Sequence, residues 1–185
     1  KKEKHYGSHN ILFLGRLCKE KGIGELIGAA GKLREKYPGL HLCLAGVWED
    51  EDDVLRQGVK ELGDCVTETG WIGGGQKQKY LEECDIFVLP SYFEGQPVSV
   101  LEAMAGACGV VASAVGDIPD MIIDGETGLL SAAKDEKDLE EKLDRLLADP
   151  ELCHRLGENA RRKAEAEFSI ESNIEQLLAI YETLS

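Results

Sequence analysis

DIFVLPSYFEGQPVSVLEAMAGACGVVASAV, residues 85–115, holds in one run the pieces that decide the fold. DIFVLPS (85–91) is short, apolar and closed by Pro90, which reads as a buried strand. PVSVLEAMAGA (97–107) reads as a helix with Pro97 in its first turn, where a missing N–H costs nothing. GVVASAV (109–115) is a second buried strand. Two buried strands separated by one helix are the repeating unit of a parallel sheet, whose neighbours need a crossover.

The same alternation continues outward. NILFLGR (10–16), LHLCLAG (40–46) and CVTETG (65–70) read as strands. GIGELIGAAGKLREKYPG (22–39), EDEDDVLRQGVKELGD (49–64) and QKQKYLEEC (76–84) read as the helices between them. After GETGLLS (125–131), a turn and a short extended piece, the pattern is helical from Asp135 to the end. The expected class is α/β: a Rossmann-like parallel sheet flanked by helices on both faces, with C-terminal helices, in a single domain over residues 1–185.

Composition narrows the function. The chain is 43% hydrophobic and 30% charged, as a folded globular protein should be, and its net charge is −14. Such a surface repels nucleic acid and anionic membrane, so an anionic ligand needs a local cationic pocket. The six cysteines have no zinc-ligand spacing and mostly sit in apolar runs, which predicts buried, reduced thiols in a reducing cytosol. KKEKHYGSHN has no apolar signal region, and AMAGACGVVASAV (103–115) is too short to span a bilayer. A cytoplasmic location is expected.

In open parallel sheets, ligands bind beyond the carboxyl ends of the strands. The loops to inspect therefore follow Arg16, Gly46, Gly70, Pro90 and Val115. The first carries Arg16, Lys19 and Lys21, suited to phosphate oxygens. The fourth carries Glu94 and leads into a helix whose early N–H groups, at Gln96, Val98 and Ser99, would face an anion or hydroxyls. Glu102 follows among small residues, and a carboxylate suits a vicinal diol. Each feature alone is ordinary surface charge. A diphosphate with a ribose and a sugar would satisfy all of them together. There is no Walker A motif, and GGG (73–75) is not a dinucleotide fingerprint.

In order and spacing, GRLCKEKG (15–22), TGWI (69–72), PSYFEGQPVSVLEAMA (90–105), VGDIP (115–119) and DGETGLL (124–130) resemble the C-terminal half of a GT-B glycosyltransferase of glycosyltransferase family 4. Glu94 and Glu102 match that family's E-x7-E pair. The resemblance implies a donor-binding domain for a nucleotide-activated sugar, UDP first and GDP second, in a retaining enzyme using no metal and no cofactor. Arg16 and Lys21 would hold the diphosphate, with help from Ser99. Glu102 would bind the ribose, and Glu94 the donor sugar with the backbone of Gly95 and Gln96. Ile72 would offer its backbone to the base, and Val100 would line the same helix start. The acceptor, a glycan or lipid-linked sugar, would be read by an N-terminal domain that this chain lacks, as would any contact with the inner face of the membrane. The isolated domain would bind donor without transferring sugar. The sequence departs from the family at Ala107, where Gly is usual, at Gly109, where Pro is usual, and at Asp117 and Asp120 in the usual VGGxPE. A nucleotide-sugar epimerase of the same fold and a non-catalytic interaction domain are the competing readings.

Overall fold

The computed structural model describes residues 4–49, 52–169 and 174. Six strands form one sheet: β1 (Asn10–Leu14), β2 (His41–Ala45), β3 (Val66–Glu68), β4 (Ile86–Leu89), β5 (Gly109–Ser113) and β6 (Leu129–Ser131). Their order is β3-β2-β1-β4-β5-β6 and every pairing is parallel. The helices are α1 (Ile23–Lys36), α2 (Asp53–Leu62), α3 (Gly74–Glu83), α4 (Val98–Ala105), α5 (Ile118–Met121), α6 (Glu136–Ala148) and α7 (Pro150–Glu167). Successive strand side chains point to opposite faces, yet β4 and β5 are buried at every position. Helices therefore cover both faces, with α1 packed on α2 and α6, and α4 on α7.

The chain lays β1, β2 and β3 outward in one direction, then returns to place β4, β5 and β6 on the other side of β1. The order thus reverses between β1 and β4, and the carboxyl ends of these two strands mark the switch point at which open α/β sheets bind their ligands. Phe13 and Phe87, both fully buried on these two strands, anchor it. Each such burial contributes about 1.5–3 kcal/mol.

Helix ends follow local chemistry. Pro38 stops α1 because the residue before a proline is pushed out of helical geometry, and Tyr37 is at φ −121°, ψ 85°. Asp52 caps α2 by accepting from the N–H groups of Val54 and Leu55, both at 3.0 Å. Asp135 and Asp149 cap α6 and α7 in the same way. Pro97 proves to be the extended residue before α4 rather than part of its first turn. The loop expected after Val115 contains a single helical turn, α5, which Pro119 near its start favours. The expected last helix, IESNIEQLLAIYETL, lies outside the described residues except for Ile174. Among the described residues no helix is long and apolar enough to cross a membrane.

Two departures from the family pattern have a visible setting. Ala107 sits at φ 55°, the left-handed region that favours glycine. Gly109 has no room for a side chain, because a Cβ there would lie 2.5 Å from Cys153 Sγ.

Candidate functional site

The crevice between β1 and β4 is fastened by its backbone. The loop after β1 continues beside the loop after β2: Leu17 N–H donates to Val47 O at 2.8 Å, and Glu49 N–H to Leu17 O at 3.2 Å. This extension brings Glu49 alongside Arg16, and the two form an ion pair at the surface. Gly46 permits the approach, since a Cβ there would lie 1.7 Å from Gly15 O. Residues Lys19–Lys21 then make one 3-10 turn that ends at Gly22, φ 71°. A Cβ on Gly22 would stand 2.1 Å from Pro90 O, so only glycine lets this turn rest on the end of β4. Tyr92 N–H donates to Glu20 O at 2.9 Å and joins the two loops.

These ties aim Lys21 at Glu94. Lys21 Nζ donates to Glu94 Oε1 at 2.6 Å, and Ser91 Oγ donates to the same oxygen at 2.7 Å. The two charged side chains are only 18% and 11% exposed, so the pair is largely desolvated. From the other side the β5 loop presses on Glu94: a Cβ on Gly116, φ 55°, would lie 1.9 Å from Glu94 O. Asp117 N–H donates to Gly95 O at 3.3 Å. Tyr92 reaches back to Glu25 through a 2.7 Å hydrogen bond, under Lys134 Nζ at 4.8 Å from its ring centroid. Burial, then Glu25, pushes the Tyr92 hydroxyl up to about 12.

Glu102 lies about one turn into α4, part-exposed, in an ion pair with Lys77 of α3. Both line a cavity of about 880 Å³ that continues along α3 toward the N-terminal segment and Arg161, away from Lys21. The N–H groups of Val98 and Ser99 head α4 and have no intrahelical acceptor, and Pro97 supplies no side-chain cap. Gly95 and Gln96 are exposed beside them. Ile72 is buried with its neighbour Trp71 78% exposed at the end of the β3 loop.

The structure thus brings Lys21, Glu94, Gly95, Gln96 and the start of α4 together, and sets Glu102 and Ile72 on the flank toward α3. Arg16 is turned to Glu49 and does not share a partner with Lys21. Val100 offers no polar group: its side chain is fully buried and its N–H donates to Pro97 O at 3.0 Å. Glu49, Ser91, Tyr92 and Lys77 were missed from the sequence. Ser91 and Tyr92 have a local signal, three and two residues before Glu94; Glu49 and Lys77 meet the site only through tertiary contacts.

The family described as glycosyl transferases group 1 matches residues 1–163. The chain belongs to this family. Alpha-maltose-1-phosphate synthase of Mycobacterium tuberculosis is 37% identical over 182 residues, covering 92% of this chain and 46% of the relative. The chain therefore spans about half the length of the curated relatives it matches. The C-terminal domain of a glycosyl transferase group 1 family protein (LpcC) from Francisella tularensis superimposes with a TM-score of 0.81 at 31% identity, covering 89% of this chain and 88% of that one. TarM of S. aureus, solved with fondaparinux, alpha-GlcNAc-glycerol and UDP, gives a TM-score of 0.84 at 25% identity over 98% of this chain and 37% of its own. The GT-B Rossmann-like class expected from the sequence is the class found.

Proposed function

We propose that this chain is the donor-binding half of a retaining glycosyltransferase that takes a sugar from a nucleoside diphosphate, with the acceptor bound by a domain outside it. The observation that carries the reading is the Lys21–Glu94 pair, held at the switch point beside the uncapped start of α4. A diphosphate placed there would meet Lys21, the N–H groups of Val98 and Ser99, and Arg16 once it leaves Glu49. Glu94 would turn its second oxygen to a hydroxyl of the donor sugar, supported by Gly95 and Gln96. Glu102 would accept from the ribose hydroxyls, and Ile72 would meet the base. Val100 would only pack beneath.

As the glycosidic bond breaks, negative charge grows on the leaving diphosphate. Fixed cations and helix N–H groups aimed at that charge stabilise it without reorganisation, the term that usually dominates. Positive charge from Arg16, Lys21 and α4 would do this with no metal and no cofactor beyond the donor. UDP is the first base, supported by the UDP bound to TarM, and GDP the second. The acceptor would be a glycan or a lipid-linked sugar.

Calorimetric titration with UDP, GDP and ADP, repeated on Glu102→Ala and Arg16→Ala, tests the reading. It predicts one preferred diphosphate whose affinity falls in both variants. Binding of none by the complete protein would overturn it.

A further inference from the structure

Away from the crevice, at the amino edge of the sheet, three elements converge on two thiols. Cys84 ends α3, Cys108 precedes β5, and their sulfurs stand 3.4 Å apart, both buried. The N-terminal segment lays Lys4 over them. Lys4 Nζ donates to Leu81 O at 2.8 Å, to Gly106 O at 3.1 Å and to Cys108 Sγ at 3.0 Å, which uses all three ammonium protons. Two of these acceptors are neutral carbonyls. A part-buried ammonium is best matched by an anion, and the sulfur of Cys108 is the acceptor among the three that can become one.

We propose that Cys108 and Cys84 form a redox modification site, in which Lys4 holds Cys108 as the reactive thiolate and Cys84 is the resolving thiol. The co-reactant is a peroxide. The Cys108 thiolate attacks one peroxide oxygen; an S–O bond forms, the O–O bond breaks, and hydroxide leaves as water after taking a proton. Cys84 then attacks the sulfenic sulfur, its proton leaves with the departing hydroxide as a second water, and the disulfide closes. Two thiols lose two electrons and the peroxide gains them. The sulfurs need only close from 3.4 Å to bonding distance, about 2.05 Å. The parallel register of Ile86 with Gly109 sets the two cysteines at the entries of neighbouring strands, one residue out of step.

The other titratable groups around the pair are consistent with this division of roles. A hydrogen bond from Cys84 and the charge of Lys4 pull the Cys108 thiol below its ordinary value, against burial and Asp85. The same hydrogen bond and burial push Cys84 up. Burial alone would depress Lys4, but Cys108, Cys84 and Cys153 together outweigh it and raise it. Cys153, on α7, is pushed up to about 12 by burial and Asp85, and its sulfur instead donates to Asp85 O. Tyr6 is committed to Ala107 O at 2.6 Å. Lys4, Leu81, Gly106 and Ala107 floor the 880 Å³ cavity, which gives a small oxidant its approach. Oxidation removes the anion under Lys4, one of the contacts that hold the segment Lys4–Ser8 alongside the Tyr6 and Ser8 hydrogen bonds.

The experiment treats the folded chain with hydrogen peroxide near neutral pH, then blocks remaining thiols and maps peptides by mass spectrometry. The expected product is a Cys84–Cys108 link, reversed by dithiothreitol and formed before Cys65, the half-buried thiol, is modified. Cys84→Ser should stop at a sulfenic acid on Cys108 that dimedone traps. Lys4→Met should slow the linkage several-fold near neutrality and shift its pH dependence upward, with circular dichroism confirming the fold. A folded parent chain in which Cys65 reacts while Cys84 and Cys108 stay reduced would overturn the site. A folded Lys4→Met variant that links as fast as the parent would overturn the role of Lys4.

Discussion

Lys21 Nζ and Glu94 Oε1 lie 2.6 Å apart across the crevice between β1 and β4, joining the loops at which the strand order reverses. Removing one partner strands the other as a nearly buried charge. Lys21→Ala and Glu94→Ala should each cost about 2–4 kcal/mol in urea unfolding, and the double variant clearly less than their sum. Additive losses would mean that the pair is not coupled.

Gly116 packs directly on the backbone of Glu94. A Cβ there would strike Glu94 O at 1.9 Å in a backbone of φ 55°. Gly116→Ala should destabilise the chain by more than about 1 kcal/mol and weaken diphosphate binding as well. Gly125→Ala, also at positive φ but with open space around it, should cost stability alone. Thermal melts paired with titrations separate the two effects.

The departures at Ala107 and Gly109 give opposite expectations. Ala107→Gly should relieve a left-handed alanine and raise stability by up to about 1 kcal/mol. Gly109→Pro, which restores the family residue, should destabilise, because Cys153 Sγ fills the space and Gly109 N–H is bonded to Asp85 O at 2.9 Å. Adding Cys153→Ala should recover part of that loss. Equal denaturation midpoints for the single and double variants would contradict the steric account.

Asp144 ties α6 to α1. It accepts from Lys36 Nζ at 2.6 Å and from the Tyr37 hydroxyl at 2.8 Å. Burial alone would raise its carboxyl, but these two hydrogen bonds outweigh it and hold it low. A carboxyl depressed in the fold contributes stability above its unfolded value, near pH 4, and loses it as pH falls through the lower folded value. Asp144→Asn should lower the melting temperature near neutrality and flatten its fall in acid. An unchanged acid limb would show that Asp144 carries none of it.

How much of this was legible in the sequence varied by physical cause. The alternation of buried strands and helices was plain, because period and punctuation are local properties. The loops at the carboxyl edge followed from one topological rule. The partners of the charges were not legible. Arg16 pairs with Glu49 because Leu17 and Val47 extend two strands side by side, and Lys77 reaches Glu102 across two helices. The thiol pair was hidden for the same reason: Cys84 and Cys108 meet through the β4–β5 register, and Lys4 comes from a distant segment. Val100 looked like a site residue because it sits in the motif, but the helix turns it into the core.

The most direct test of the donor-site account is an amide NMR titration of the chain with UDP. The account predicts the largest shifts in residues 15–22 and 94–99, at Glu102, and in the loop carrying Ile72, all lost in Lys21→Ala. Shifts confined to the cavity between Lys4 and Arg161, with the crevice between β1 and β4 unmoved, would contradict it.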